Sequence, residues 1–592
     1  MPPRIATARP KNAKNSVRQL LGSLRTWRAQ LIVVIVFAII SVVLTIFGPK
    51  ILGNMTTDAV TSLASTGAID WGPIASSAIL LIILYSASSI IRYIQEVMLS
   101  IIASRYTEQL RKQIIIKISK LPISYFDQHQ FGDTLSRMSN DVDMITMSLS
   151  QSLTQIITSA TMVIGILVMM VTISIPLSLI ALVTIPVSLF FVSLIAKKAQ
   201  TQFRAQRTTL GSLNNTIEES YAGQLIIKAN SYESTAIDKF SKTNQKLYIS
   251  SWKSQFLSSL AFPIAHMFTN LSYVAICITG GYLALDGKIN IGDVQAFIQY
   301  VNQFNRPITE VAQASSTIQQ TLAATERVFA FLEEPEEVPD PARPQTIEKI
   351  KGAVEFHKVN FSYDGVKPII RNFSAKIKPG MQVAIVGPTG AGKTTIVNLL
   401  MRFYDPDTGY ITVDGIPTKE MSRADVRQLF GMVLQDTWLF SGTILANLSY
   451  GAQNISRHDI EHATKLAGIH HFIEALPHGY HTKIDEDSDN ISAGEKQLLT
   501  IARVMIANPP MVILDEATSN VDTRTEQLIQ DAFEKLTHGR TSFVIAHRLS
   551  TIRNADLILV MRDGNIVEQG THTQLLAENG FYAELYNSQF AE

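Results

Sequence analysis

Cysteine is almost missing: Cys277 stands alone in 592 residues. No intrachain disulfide can form, and no cysteine-based metal framework exists. Its neighbours Ala275, Ile276 and Ile278 put the thiol inside an apolar helix. Net charge is nearly absent too, since Lys+Arg 51 against Asp+Glu 50 leaves +1. No global field draws the chain to nucleic acid, and none is expected as a partner. Charged residues total only 17%, unevenly spread. Residues 31–48 and 254–285 contain none, 1–28 contain no acid, and 53–71 contain no Lys or Arg. Solenoid-period repeats and low-complexity tracts are also lacking.

What is present is apolar length. Residues 31–48 read LIVVIVFAIISVVLTIFG, about the helix needed to cross a bilayer. A secretory signal is the rival reading, but the run passes into Pro49 and Lys50 without a small-residue cleavage site. A retained helix is expected, its basic flank held in the cytoplasm. Further spans are predicted at 74–91, 156–174, 177–195 and 254–285, with only Ile175-Pro176 between the third and fourth. A sixth, at 291–316, is interrupted by Gln295, Gln299, Asn302, Gln303, Asn305 and Arg306 at near-helical spacing.

So polar a helix cannot face lipid all round, because unpaired amides in hydrocarbon cost roughly several kcal/mol each. One face should line a wet cavity. Gln299, Asn302, Gln303 and Arg306, with His266 and Asn270 of the fifth span, are the candidates for a small-molecule cavity; hydrogen bonding between helices is the alternative. Lys and Arg crowd 105–120 and 197–253 but avoid 53–71. That asymmetry predicts a multi-pass protein of the cell membrane with both termini cytoplasmic. The long basic connections should continue the spans as helices into the cytoplasm.

After Leu332 the sequence EEPEEVPDPARPQ is acidic and Pro-rich. It reads as a linker, 333–344, unable to pack or to continue a helix. Strand-like alternation of Val354, Phe356, Val359 and Phe361 follows. Gly387, Pro388, Thr389, Gly390, Ala391, Gly392, Lys393 and Thr394 fit G-x-x-x-x-G-K-[ST] between strand-like 383–386 and helix-like 395–401. Glycines let backbone N–H groups converge on phosphate, Lys393 adds charge at the terminal phosphates, and Thr394 can complete Mg²⁺ coordination. Met511 to Asp515 is an apolar strand ending in two acids, Asp515 and Glu516. Asp515 would hold Mg²⁺ through water, and Glu516 would polarise the attacking water. The expected fold is multidomain: an all-α six-helix transmembrane domain (1–332) with long cytoplasmic helix extensions, then an α/β P-loop nucleotide-binding domain (345–592).

On these motifs the second half resembles the nucleotide-binding domain of ATP-binding cassette (ABC) proteins. Nearly the whole chain resembles bacterial half-size multidrug-type ABC exporters. The resemblance implies that Tyr363 stacks on adenine and that Thr395 belongs to the ATP-binding loop. It further makes Gln435 the link from Mg²⁺ and water to the membrane domain, and His547 the γ-phosphate switch. Asp522, ending Ser519 to Asp522, would lie at a dimer interface; a helix N-cap would suit the same residue. Tyr125 to Asp127, Gly132-Asp133, Ser136-Arg137 and Glu218 to Lys228 resemble cytoplasmic loops that dock on nucleotide-binding domains.

The family's signature, usually LSGGQ, stands here as Ile491, Ser492, Ala493, Gly494 and Glu495. In the family it caps the ATP of the opposite subunit. Ala493 adds a Cβ where backbone meets phosphate, and Glu495 puts a carboxylate near an anion, so that site should be weakened. The implied activity is ATP hydrolysis coupled to alternating access, exporting small amphipathic compounds, with ATP and Mg²⁺ as cofactors. A second half-transporter subunit is implied, a different chain favoured over a homodimer. Alternatives are a homodimeric lipid or peptide exporter, or a nucleotide-gated channel or sensor.

Overall fold

Long apolar runs have one economical fold in hydrocarbon, the helix, because it satisfies every backbone donor and acceptor internally. A computed structural model describes residues 12–434, 437–452, 455–484, 491–515, 522–545 and 549–589. The chain divides into two compact units: Met1–Ser119 with Phe131–Glu334, and Lys120–Gln130 with Pro335–Glu592.

The first unit is helical. Its long elements are α1 (Arg28–Ile46), α2 (Gly48–Thr66), α3 (Trp71–Lys120), α4 (Leu153–Ile173), α5 (Ile175–Ala222), α6 (Glu233–Leu285) and α7 (Ile291–Glu333). Five helical stretches among the described residues are long and apolar enough to cross a membrane: Ala13–Thr66, Trp71–Ile118, Phe131–Ile173, Ile175–Ala222 and Glu233–Leu285. Helix α7 is not among them, although it runs 43 residues, because polar side chains interrupt it as the sequence indicates.

Close backbone approach holds α2 to α7. A Cβ on Gly292 would lie 1.7 Å from the Gly53 carbonyl oxygen, and one on Gly53 would lie 2.2 Å from that of Gly292. Only glycine at both places permits this contact. Around it, Lys50 pairs with Asp293, Thr56 donates to Gln295, and the buried Tyr300 hydroxyl donates to the Ile46 carbonyl at 2.7 Å. Toward the other end of α7, Arg327 donates to both carboxylate oxygens of Asp141, at 2.8 and 2.5 Å. Helices α5 and α6 pack along each other. The short helix Gln224–Ala229 after α5 buries none of its residues.

The second unit is α/β. In it β1 (Val354–Phe361), β2 (Ile370–Ile377) and β4 (Thr408–Val413) form an antiparallel sheet. The central sheet carries β3 (Gln382–Val386), β5 (Phe430–Val433), β6 (Met511–Asp515), β7 (Thr541–Ile545), β8 (Leu557–Arg562) and β9 (Asn565–Gly570) in the order β9-β8-β3-β7-β6-β5. All neighbours in it are parallel except β8 and β9. Strands β6 and β7 bury every residue, as parallel strands covered on both faces must.

One expectation is corrected here. The acidic, Pro-rich linker packs: Arg423, whose side chain is 9% exposed, meets Glu337 at 3.0 Å, Asp340 at 3.2 Å and Asp405 at 3.0 Å. The Glu337 contact lies off the Nε donor direction and is ionic rather than a hydrogen bond. Arg427 adds a contact to Glu337 at 3.3 Å, and Arg402 reaches Asp405 at 3.0 Å. Prolines forbid a helix, but they leave carboxylates free to pair with arginines that lie far away in sequence.

Candidate functional site

The phosphate loop leaves β3 and enters α8 (Lys393–Leu400). Gly392 caps that helix at φ 99°, where a Cβ would meet Ile370 Cδ1 at 2.8 Å. A Cβ on Gly387 would meet the Met561 carbonyl oxygen at 2.4 Å. The loop is thus a bare backbone cradle against β8, shaped for an anion held by N–H groups. Pro388, Thr389, Gly390 and Thr394 are exposed on it, while Ala391 is buried beneath.

Lys393 folds over this cradle, donating to the carbonyls of Gly387 at 2.8 Å and Pro388 at 3.2 Å. Burial pulls its ammonium below the usual lysine range, and the nearby Asp515 carboxylate opposes that shift. Phosphate oxygens are stronger partners than two loop carbonyls for a partly desolvated cation. The residues present therefore fit a nucleoside triphosphate.

Sheet register explains why Asp515 lies close to Lys393. Ile545 of β7 is level with Ile385 on one side and Asp515 on the other. Three parallel strands end at one edge, the usual place for ligands in such sheets. Glu516 follows Asp515 directly, and His547 follows Ile545 by two positions. Glu516, His547 and Gln435 lie outside the described residues.

Tyr363 stands beside α8 and is 39% exposed. Its hydroxyl donates to Thr395 and accepts from the Asn398 amide, each at 3.2 Å. Phe361 and Tyr404 pack edge-on against the ring, at 4.9 and 5.0 Å between centroids. The Thr395 side chain is buried and engaged with Tyr363 rather than open to the loop. Asn398 was not foreseen; its spacing of five from Lys393, still on α8, is the signal that could have found it.

The altered signature opens α9 (Ala493–Ala507). Ser492 is the N-cap, accepting from Glu495 N–H at 3.3 Å, while the Glu495 carboxylate accepts from the Ser492 N–H and hydroxyl, each at 2.8 Å. This reciprocal capping box turns the carboxylate back onto its own helix N-terminus. Ala493 is exposed and Gly494 buried. Asp522 caps α10 (Thr523–Thr537), accepting from the Arg524 and Thr525 N–H groups at 3.1 and 3.0 Å. Hydrogen bonding to Thr525 leads the causes that hold its carboxyl below the usual range.

The cavity candidates separate by face. On α7, Asn302 and Arg306 are exposed and Gln299 and Gln303 half-buried. Thr309, Gln313, Ser316 and Gln320 continue the exposed side at spacings of three and four, so the polar stripe is longer than the sequence reading made it. Arg306 is paired with Glu310 at 2.8 Å, and Glu310 also accepts from Ser159 at 2.8 Å. An unforeseen pair, Arg92 and Glu96 at 3.0 Å, is exposed on α3. On α6, His266 and Asn270 are exposed, and the His266 ring lies 4.3 Å from that of Phe262.

Comparison with known proteins agrees with this geometry. Residues 31–308 match the ABC transporter transmembrane region and 370–519 match the ABC transporter family. A fatty acid ABC transporter ATP-binding/permease protein of Mycobacterium bovis is 44% identical over 517 residues, covering 87% of this chain and 82% of the relative. An uncharacterized ABC transporter ATP-binding protein of Bacillus subtilis is 37% identical over 583 residues, 98% and 96% of the two chains. An ATP-dependent lipid A-core flippase of Syntrophus aciditrophicus is 34% identical over 524 residues, 88% and 86% of the two. A helical membrane unit followed by a P-loop α/β unit, matched by these families over both halves, makes this chain a member of the ABC transporters: a multi-pass, ATP-hydrolysing half-size exporter of the bacterial type.

Proposed function

We propose that the chain exports amphipathic compounds with an acidic head, in a dimer with a different half-transporter subunit and with its nucleotide-binding domain in the cytoplasm. The observation that carries the cargo reading is the exposed stripe on α7 with Arg306 in it, 84% exposed at its side chain. A charge in a membrane span is costly unless it faces a wet cavity or a partner. The guanidinium donates through Nε to Glu310, its one partner among the described residues, which leaves its other N–H groups for a carboxylate or phosphate. Relatives named for a fatty acid and for lipid A-core support cargo of this kind.

A dimer is the form in which half-transporters act, and here the exposed helix Gln224–Ala229 supports it: Leu225 and Ile226 are 82% and 69% exposed. Apolar side chains at a helical tip call for a covering surface. The choice of a different partner rests on Ala493 and Glu495. The Glu495 carboxylate occupies the helix end that would otherwise face phosphate, so one of the two sites is weakened and the partner supplies the stronger signature.

In the competent site Lys393 and the loop N–H groups hold the phosphates, Tyr363 stacks on adenine, and Glu516 orients the attacking water. Thr394, Asp515 and Gln435 would hold Mg²⁺, which neutralises phosphate charge when bound. His547 donates to the terminal phosphate, and Asp522 lies where the two domains meet.

The test is Mg²⁺-ATPase of the reconstituted protein against a series of fatty acids and neutral analogues. Acids should stimulate turnover, and Arg306→Gln should raise the half-stimulating concentration about tenfold, the effect of one lost charge-assisted hydrogen bond. Equal stimulation by neutral analogues would overturn the acidic-head reading. Robust turnover by a dimer of this chain alone would overturn the different-partner reading.

A further inference from the structure

Lys120–Gln130 is a short segment by which α3 passes to the next membrane-unit helix, yet it belongs to the nucleotide-binding unit. Its helix Ile123–Gln128 is organised by Tyr125, which is buried and stacked on His129 at 4.1 Å. At one end, the Glu337 N–H donates to the Lys120 carbonyl at 2.8 Å, and the linker of the Arg423 cluster is thereby attached. On the helix itself, the Asp127 carboxylate accepts a hydrogen bond from the Tyr404 hydroxyl across 277 residues of chain.

Tyr404 is not an ordinary surface tyrosine. Its ring stands edge-on to Tyr363 at 5.0 Å and 89°, and packs against Phe361 at 5.4 Å. The Tyr363 hydroxyl is fixed to Thr395 and Asn398 on the helix that follows the phosphate loop. A base stacked on the open side of Tyr363 fixes the ring from one face, while Phe361 and Tyr404 close the others. Close-packed rings transmit displacement rather than absorb it, so the position of Tyr404 depends on that of Tyr363. Burial, with the Asp127 carboxylate next, raises the Tyr404 phenol above its ordinary range. Its hydroxyl is therefore a standing donor: its contribution is whole below the ordinary tyrosine value near pH 10 and is lost as pH climbs from there through the raised folded-state value.

We infer that Tyr404 relays occupancy of the adenine face of Tyr363 to the loop Lys120–Gln130 through the Asp127 carboxylate. The inference rests on Tyr363 as the adenine-stacking residue. It makes Tyr404 a positioning residue: it acts through Tyr363 and Asp127 on the loop that continues into two membrane-unit helices. Coupling of this kind is reciprocal, so docking of the loop also favours a base on Tyr363.

The test is hydrogen exchange of the 120–130 amides in the full-length protein in lipid vesicles, with its partner subunit if it requires one. ATP and UTP are compared at saturation, with EDTA present so that neither is hydrolysed. Binding of each nucleotide is titrated in parallel. ATP should slow exchange in this segment about tenfold, whereas UTP, with its smaller stacking face, should not. Tyr404→Phe and Asp127→Asn should each remove the ATP effect while ATP still binds, and the double variant should lose no more than either single one. Protection retained in Tyr404→Phe, or equal protection by UTP in the wild type, would overturn the relay but leave the nucleotide site standing. Failure of the wild type to bind ATP would overturn both.

Discussion

Glu516→Gln should bind ATP as the wild type does and hydrolyse it about a thousandfold more slowly, as expected when the group that orients and deprotonates the attacking water loses its charge. The residue follows Asp515, the last residue of a fully buried parallel strand, at the sheet edge where the phosphate loop also begins. Glutamine keeps the size of glutamate and can still hold a water, so binding survives while proton acceptance does not. Phosphate release from the reconstituted protein, measured beside equilibrium ATP binding, checks this. Turnover within threefold of the wild type would remove Glu516 from the mechanism. A nucleotide-gated channel or sensor, which needs binding alone, would keep its function in the same variant, so cargo flux separates that reading from export.

Arg423→Ala should destabilise the nucleotide-binding domain by about 3 kcal/mol, because three carboxylates then share a partly buried site without their principal cation. The side chain is 9% exposed and contacts Glu337, Asp340 and Asp405, and it also donates to the Val338 carbonyl at 2.5 Å. Arg402 and Arg427 remain, but Arg402 is already committed to Asp405 and to the Thr418 and Met421 carbonyls. For a domain of this size the loss corresponds to a fall in Tm of roughly 6–12 °C, read by calorimetry on the thermal transition of the domain. Arg423→Lys should fall between the two, since an ammonium keeps the charge but not the planar fork that meets two carboxylates at once. An unchanged Tm in Arg423→Ala would show that the linker is a passive tether after all.

The sequence made the phosphate loop legible because its chemistry is local. Glycines that admit no Cβ, a lysine and a threonine must be contiguous to surround one phosphate chain, and they lie within eight positions, Gly387 to Thr394. The apolar spans were legible for a similar reason, since a bilayer fixes the length of an uninterrupted run. Even α7, whose hydropathy falls short, was found through the near-helical spacing of its amides. The Glu495 substitution was visible too, although its effect was not. The chain shows a carboxylate in the signature, and only the folded helix shows it closing a capping box with Ser492.

Contacts made across long stretches of chain were invisible. Nothing near Tyr404 announces Asp127, and nothing in a Pro-rich acidic linker announces Arg423, 83 positions beyond Asp340. Gly53 fell in what reads from sequence as the connection 53–71, and nothing there announces that its backbone meets Gly292.

By itself, then, the sequence determined that this protein has the apolar spans of a membrane protein, carries a P-loop and resembles the ABC exporters, because apolar length and phosphate chemistry are written in consecutive residues. The tertiary structure decided which charges pair, which face of α7 stays exposed and how the loop 120–130 is attached to the nucleotide-binding domain. Those depend on side chains that only the packing of distant segments brings within hydrogen-bond reach.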